Sequence, residues 1–404
     1  MASDNTVTST SSYQDISRRS SNMSTISSGS RTLSRVEQIL KEPSSISVKT
    51  AIVLEFGNRL TKVGIAGEFR PRRVIRSEVT LPNEIEPTNV FSNEYSDEKQ
   101  KKVLTAFIRK IAFNVLILPF KDRSFVVVFR TLENDRLQYI ITDILKNNKI
   151  FNAQEVKFIP SQIAATIGSY CAEVGLVVDI GYEFASIFPV IHNCILFHEG
   201  EISLSCSKKL EERVRELLIK YGSVRIHGTK EIKNIDNDIL DILDKTKTYE
   251  DICNKYLFVT TLERSRKLDK YEDLQPQPKG FEMILKDFTL VVPGCLRELA
   301  AEILFTTTDD SMSIPEAILE VITNCPIDFR KLLFERLIIC GGVAELPGFL
   351  GRIKAELLDA ITSSEYIKLS KLNVPKFIQY PNSKIPFGLV INWIGGSLYA
   401  SSAF

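Results

Sequence analysis

Two segments of this chain carry the same arrangement of residues that could hold a phosphate chain. Residues 51–67 read AIVLEFGNRLTKVGIAG and residues 175–191 read GLVVDIGYEFASIFPVI. Each is an apolar run, an acid, one spacer and a glycine, followed by a second run. The acids are Glu55 and Asp179, and the glycines are Gly57 and Gly181. A third apolar run, Leu337 to Cys340, ends in Gly341-Gly342. A glycine turn lets backbone N–H groups approach phosphate oxygens, and a carboxylate at the turn can hold hydrated Mg²⁺. Taken singly, Gly57, Gly181 and Gly341 read as tight turns at strand ends; their series points to a ligand.

Those turns need strands to carry them and helices to cover the strands. Ala51–Phe56, Leu60–Ala66 and Arg72–Ile75 read as three successive strands, and Leu81–Tyr95, with Pro82 and Pro87, as an irregular loop. Apolar spacing predicts a helix over Asp97–Phe113, with Val103, Leu104, Phe107 and Ile111 on one face. A buried strand at Phe125–Phe129, a helix at Asn134–Lys146 and a strand at Glu155–Ile159 follow. Pro160-Ser161 opens a helix over Gln162–Glu173, which Gly175 ends before the second hairpin. Further helices are expected at Lys208–Tyr221, Tyr249–Leu257, Pro293–Thr306, Ser313–Asn324, Asp328–Glu335, from Pro347-Gly348 to Ile361, and at Phe387–Ala403. A strand at Arg336–Cys340 delivers the third glycine turn, and Asp269–Gly280 reads as a surface loop. Strands alternating with helices give an α/β fold.

With 404 residues, the chain suits one large or two medium domains. Its net charge of +1 favours neither nucleic acid nor an anionic membrane as partner. No apolar run reaches the length of a membrane span. Seven scattered cysteines without a C-x-x-C pair read as reduced thiols, and three histidines show no metal-ligand spacing. Residues 1–47 are rich in Ser and Thr and poor in apolar residues, so they read as a disordered tail. The tail's Arg18-Arg19-Ser20-Ser21 fits a basophilic kinase site. Its Ser and Arg content also suits a mitochondrial presequence, against which Asp4, Asp15, Glu37 and Glu42 argue.

The order of these features resembles the actin-like ATPase fold, two related α/β halves around a central cleft, over about Ala51 to Phe404. The resemblance rests on five pieces in sequence. The first hairpin continues into Lys62, Gly64 and Ala66-Gly67; Gln162 lies 17 residues before Asp179; the second hairpin follows. Then come Cys325-Pro326-Ile327-Asp328-Phe329-Arg330-Lys331 ahead of Cys340-Gly341-Gly342 and Leu346-Pro347-Gly348, and finally Trp393-Ile394-Gly395-Gly396-Ser397. The implied layout is a first half over 48–180 with a small subdomain near 79–114, a second half over 181–365, and a return to the first half over 366–404. The Asp179–Glu183 turn, the Cys325–Lys331 stretch and the short small subdomain resemble the divergent actin-related class at the pointed end of dynactin.

The resemblance implies a site for ATP or ADP with Mg²⁺. Glu55, Gly57, Gly181, Gly341 and Gly342 would surround the phosphates, Lys62 would meet β/γ oxygens, Gln162 would orient water, and Asp179 would hold the metal through water. Several positions depart from the pattern. Glu55 stands for a shorter aspartate, and Asn58-Arg59 for small residues beneath the phosphates, where Arg59 either fills the space or adds a cation. Ile180, Tyr182 and Glu183 replace Ser, Asp and Gly, and Ser186 replaces a histidine. Cys253-Asn254, Leu346, Leu389 and Ser205-Cys206 alter the base and sugar positions. These changes imply a chain that is not an enzyme. It would be a structural, hetero-oligomeric subunit, cytoplasmic and cytoskeletal. It would cap the pointed end of dynactin's actin-like filament and contact both the filament subunit and the pointed-end proteins in support of dynein-driven transport on microtubules. A nuclear subunit of a chromatin-remodelling complex and a metabolite kinase of the same superfamily are the alternatives. The sequence stops about eight residues past Gly395-Gly396, which leads to the expectation of a shortened end with an apolar helix face partly uncovered.

Overall fold

The computed structural model describes residues 50–404, apart from 83, 93, 131–134, 171–172, 229–231, 364–365, 373 and 379–385. The chain divides into two units, residues 1–48 and Lys49–Phe404, and all described residues belong to the second. The Ser/Thr-rich tail and its Arg18-Arg19-Ser20-Ser21 motif lie outside the described residues.

The second unit begins with the first hairpin. Strands β1 (Ile52–Glu55) and β2 (Leu60–Ile65) pair antiparallel, and β3 (Arg73–Arg76) extends the edge. A short pair, β4 (Glu78–Val79) with β5 (Thr88–Asn89), crosses the stretch expected to be irregular. Helix α1 (Asp97–Lys110) starts at Ser96, whose hydroxyl accepts from the Lys99 N–H, a side-chain cap of an otherwise unpaired donor. It ends earlier than its apolar spacing predicts, because Ile111–Leu116 widens into π-helix and closes at Ile117 in left-handed conformation. Strand β6 (Phe125–Phe129), helix α2 (Asp135–Asn147) and strand β7 (Val156–Pro160) complete a sheet ordered β3-β2-β1-β6-β7, in which β1, β6 and β7 run parallel. One face packs on α1 and α2 through Leu104, Phe107, Ile108, Phe125, Val127 and Ile144.

Helix α3 (Ser161–Gly168) leads to β8 (Val174–Ile180), β9 (Ala185–Ile191), β10 (Cys194–Ile195) and β11 (Glu201–Ser203). The helix is shorter than expected. Gly175 does not terminate it but lies within β8, where a Cβ would sit 2.9 Å from the Ile338 Cδ1. After α4 (Ser207–Tyr221), a third, antiparallel sheet is built from β12 (Ser223–Ile226), β13 (Ile232–Asn234), β14 (Phe281–Ile284) and β15 (Phe288–Val292). Helices α5 (Asn237–Lys245) and α6 (Thr248–Lys255) lie between its strands in sequence and, with α4, cover it. Leu268–Asp273, expected as loop, forms 3₁₀ turns, and the helix expected over Pro293–Thr306 breaks into Leu296–Leu299 and the 3₁₀ segment Ala301–Leu304.

Helices α7 (Ile314–Asn324) and α8 (Ile327–Phe334) precede β16 (Leu337–Cys340), which runs parallel to β8. The second sheet is ordered β10-β9-β8-β16 and repeats the first: an antiparallel hairpin with a parallel strand on its free side. Helix α9 (Phe349–Ala360) covers it through Phe349, Ile353 and Leu357.

The last helix, α10 (Phe387–Ala403), is apolar on nearly every side because it lies between the sheets beside α3. Val390, Trp393 and Ile394 pack on Val53, Val126 and Val128 of the first sheet, while Ile391 packs with Val177 and Ile338 of the second. Of the apolar face expected to be partly uncovered, Leu398 on the helix and Phe404 just past it are exposed. Glycines make the approach possible. A Cβ at Gly395 would lie 1.7 Å from the Ala164 carbonyl oxygen, and one at Gly168 2.5 Å from that of Ile391.

Candidate functional site

Strands β1, β6, β8 and β16 end at one cleft, and the residues just past their carboxyl ends line it, as is general for ligand sites in open α/β sheets. Glu55 ends β1 and Asp179 lies one residue before the end of β8. Gly57 and Gly181 begin the hairpin turns, and Gly341-Gly342 follow β16. Seven of the eight candidate residues, Glu55, Gly57, Lys62, Asp179, Gly181, Gly341 and Gly342, line this cavity. Gln162 stands behind it at the start of α3; its amide donates to the Ser186 Oγ at 3.2 Å and its Oε1 accepts from the Ser161 hydroxyl at 3.1 Å. The pairing register explains the meeting, since Ser186 lies opposite Asp179 across β8 and β9.

Gly341 requires glycine. Its φ is +96° with ψ 169°, a region open essentially to glycine alone, and a Cβ there would lie 2.0 Å from the Ile180 carbonyl oxygen. The third turn is thereby held against the second hairpin. Around Gly342, by contrast, a Cβ would meet nothing within 4 Å, so this backbone faces open space in the cleft.

Two carboxylates, Glu55 buried and Asp179 half-buried, face the cleft floor. Register places Glu55 opposite Lys62, and the two side chains form an ion pair. Lys62 is therefore engaged by the protein rather than pointing freely at phosphates. Asp179 Oδ2 accepts from the Asn392 amide of α10 at 3.2 Å. Burial raises the pKa of both acids: for Glu55 it outweighs the Lys62 ammonium, and for Asp179 it outweighs Lys62, Arg130 and Asn392.

Family members of this fold typically bind nucleotide with Mg²⁺, and part of the site fits that pair. Glu55 Oε2 and Asn392 Oδ1 are buried acceptors without a protein donor, on the two residues next to Asp179. Waters of a hydrated cation would satisfy both, with Asp179 as the charged anchor. Among the described residues no three His, Cys, Asp or Glu side chains converge as direct metal ligands, so a cation here would be held through its waters. Such an ion would neutralise phosphate charge; the protein's own contribution is the carboxylates, the Asn392 amide and the glycine backbone.

The rest of the cleft is narrowed. Its cavity volume is about 170 Å³, below the roughly 300 Å³ lower end of typical small-molecule sites. Arg59 crosses it. The guanidinium bonds Glu211 of α4 and, at 2.6 Å, Glu250 of α6, and lies 4.5 Å from the ring centre of Tyr182. This decides between the two expectations for Arg59: it fills the space as a paired cation. At the base and sugar positions, Cys253, Asn254, Leu346 and Leu389 line the cleft as expected, but Ser205 and Cys206 do not. Cys206 instead donates its thiol to the Glu183 carbonyl, and Ser207 and Leu210 take the lining positions.

Sequence reasoning missed Asn392, Ser161, Arg130, Glu211 and Glu250. Asn392 carried a signal, a lone amide in an otherwise apolar helix. The two glutamates carried none, because each sits among the ordinary charges of a helix.

The actin family profile matches residues 158–403. This chain belongs to the actin family. Its relatives within the family are distant. Putative actin-29 of Dictyostelium discoideum is 23% identical over 87% of this chain and 90% of its own length. Actin-related protein 10 of the same organism is 22% identical over 88% of this chain and 83% of its own. Actin-related protein 6 of Drosophila melanogaster is 26% identical over 45% of this chain and 48% of its own. Actin-family membership accounts for the duplicated hairpins and for the cleft between two related sheets. Actin-related proteins are generally structural and form hetero-oligomeric complexes, although the wider superfamily includes ATPases. No helix among the described residues is long and apolar enough to cross a membrane.

Proposed function

We propose that this chain is a non-catalytic actin-related subunit of a hetero-oligomeric assembly, and that the assembly is dynactin, whose short actin-like filament it caps at the pointed end. One observation carries the non-catalytic part: both cations of the first glycine turn are committed to the protein's own carboxylates, Lys62 to Glu55 and Arg59 to Glu211 and Glu250. Phosphoryl transfer depends on positioning and charge stabilisation at the phosphates, and these charges are spent elsewhere. Gln162 bonds a serine where the family pattern has a histidine, so the polar group beside the attacking water is smaller. The fold's remaining role is to present surfaces. Its glycine turns, Glu55 and Asp179 keep a phosphate and Mg²⁺ site, so bound ATP or ADP would act as structural filling.

The dynactin assignment rests on the motif resemblance and on the full-length similarity to an actin-related protein of the tenth class. Within the small subdomain near 79–114, Ile85 and Phe113 are exposed and offer apolar contact for a neighbouring subunit. The proposed location is cytoplasmic and cytoskeletal, with neither nucleic acid nor membrane as partner. Mass spectrometry of proteins recovered with an endogenously tagged copy tests it. Stoichiometric dynactin subunits are expected; chromatin-remodelling subunits would move the function to the nucleus. Recovery of no stable partner, together with sugar-stimulated ATP turnover, would establish a kinase instead.

A further inference from the structure

In a two-lobed fold, a ligand that touches both lobes can hold the cleft shut. Here side chains already do so. Arg59 leaves the β1–β2 turn of the first sheet, crosses the cleft and meets two carboxylates and an aromatic face on the opposite side. Its three partners come from different places: Glu211 from α4, Glu250 from α6 and Tyr182 from the β8–β9 turn. The group is shielded, with side-chain exposures of 18% for Arg59, 16% for Glu211 and 12% for Glu250, so salt screens it less than surface pairs.

Further contacts run in the same direction. Glu250 also accepts from Arg76 at the end of β3, at 2.5 Å, and Lys247 pairs with Glu78 of β4. Arg130 donates to Asn58 within the first lobe at 2.6 Å and stands 5.1 Å from the Phe184 ring of the second. The cations Arg59, Arg76 and Arg130 all leave the first sheet or its immediate extensions, and acids or aromatic rings of the second lobe receive them.

We infer that Arg59 is an internal latch: it binds the two lobes across the cleft and keeps this protein closed whether or not a nucleotide is present. A guanidinium suits the task because its planar fork reaches two carboxylates at once and its face stacks on a ring, which a lysine could not reproduce. The latch is independent of which assembly the protein enters.

Hydrogen exchange of the intact chain, read by mass spectrometry, tests this. Wild-type protein is measured in MgATP and again after apyrase and EDTA treatment, beside Arg59→Ala and the double variant Glu211→Gln, Glu250→Gln. The expected result is unchanged wild-type exchange on stripping. Both variants should lose protection by roughly 10- to 100-fold around the 57–62 turn and in α6, while β8 stays protected. Retained β8 protection separates opening of the cleft from unfolding. If Arg59→Ala does not fold, the double variant, which keeps the backbone and side-chain volumes, decides alone. Wild-type opening on stripping, or variants as protected as wild type at the 57–62 turn and α6, would overturn the latch.

Discussion

Replacing Gly341 with alanine should unfold the protein measurably more easily, and the structure sets the size of the effect. At φ +96° and ψ 169° an L-residue stores about 1–3 kcal/mol of backbone strain. The new Cβ would also stand 2.0 Å from the Ile180 carbonyl oxygen, so β8 and β16 must separate at their cleft ends. Such overpacking adds about 1–3 kcal/mol. Gly341 N also donates to the Gly388 carbonyl oxygen at 2.8 Å, so displacement of the turn loosens the entry to α10. The total of about 2–6 kcal/mol, spread over a folded unit of roughly 350 residues, corresponds to a melting temperature lower by about 3–8 °C. Gly342→Ala is the control. Its Cβ meets nothing within 4 Å, and a change under about 1 °C is expected. Differential scanning fluorimetry on both variants in one buffer reads the difference. Equal melting temperatures for the two would refute the close approach of Gly341 to the second hairpin, and with it the geometry of the cleft floor.

Three further outcomes are expected from the same packing and electrostatics. Asp179→Asn should stabilise the nucleotide-free protein at pH 7.5, because burial raises the Asp179 pKa and its ionised form costs stability in the fold. Wild-type stability is therefore lost as pH rises through that raised pKa, so the variant's advantage should shrink towards pH 4; urea titrations at both values check it, and an advantage independent of pH would contradict the raised pKa. Gly395→Ala should cost about 3 kcal/mol in the same titration by forcing α3 and α10 apart at the Ala164 carbonyl; a cost below about 0.5 kcal/mol, within the range of a surface substitution, would contradict that crossing. A thiol reagent on native protein at pH 8, followed by peptide mapping, should label exposed Cys194 first among the described cysteines. Cys206, Cys253, Cys325 and Cys340 should react only on unfolding, since burial pushes all four thiols up, Cys325 to about 12; early labelling of Cys253 would mean that the cleft is open.

Much of the fold was legible because the strands β1, β6, β8 and β9 are buried, mostly apolar runs, and β1 and β8 lead into an acid and a glycine; such runs have few other ways to fold. The floor of the site was legible for the same reason: the acids and glycines are fixed at strand ends by the repeat. What escaped was set by long-range contacts. The four-stranded sheet of β12–β15 includes two short, partly or fully exposed strands, Ser223–Ile226 and Ile232–Asn234, without the alternation that marks a half-buried surface. The π-helical turn after α1 continues the apolar spacing of the helix, so only its backbone geometry marks the change. Arg59 could be read as an intrusion beneath the phosphates, but its partners lie 152 and 191 residues further on, and no local pattern identifies Glu211 and Glu250.

The indole of Trp393 donates to the Val53 carbonyl oxygen, a bond that spans 340 residues. During synthesis, the first sheet is complete once residue 160 has left the ribosome, yet the face that receives Trp393, Val390 and Ile394 has only α3 to cover part of it until residues 390–394 have emerged. At about 5–20 residues per second, that interval lasts on the order of 10–50 s. A nascent chain in that state leaves Val53, Val126 and Val128 only partly covered, by α3, and presents that apolar surface to a folding chamber or holdase. Ribosome-stalled chains with and without residues 387–404, each followed by the same linker long enough to span the exit tunnel, should differ sharply in chaperone crosslinking. Equal crosslinking would mean that the lobe closes without its final helix.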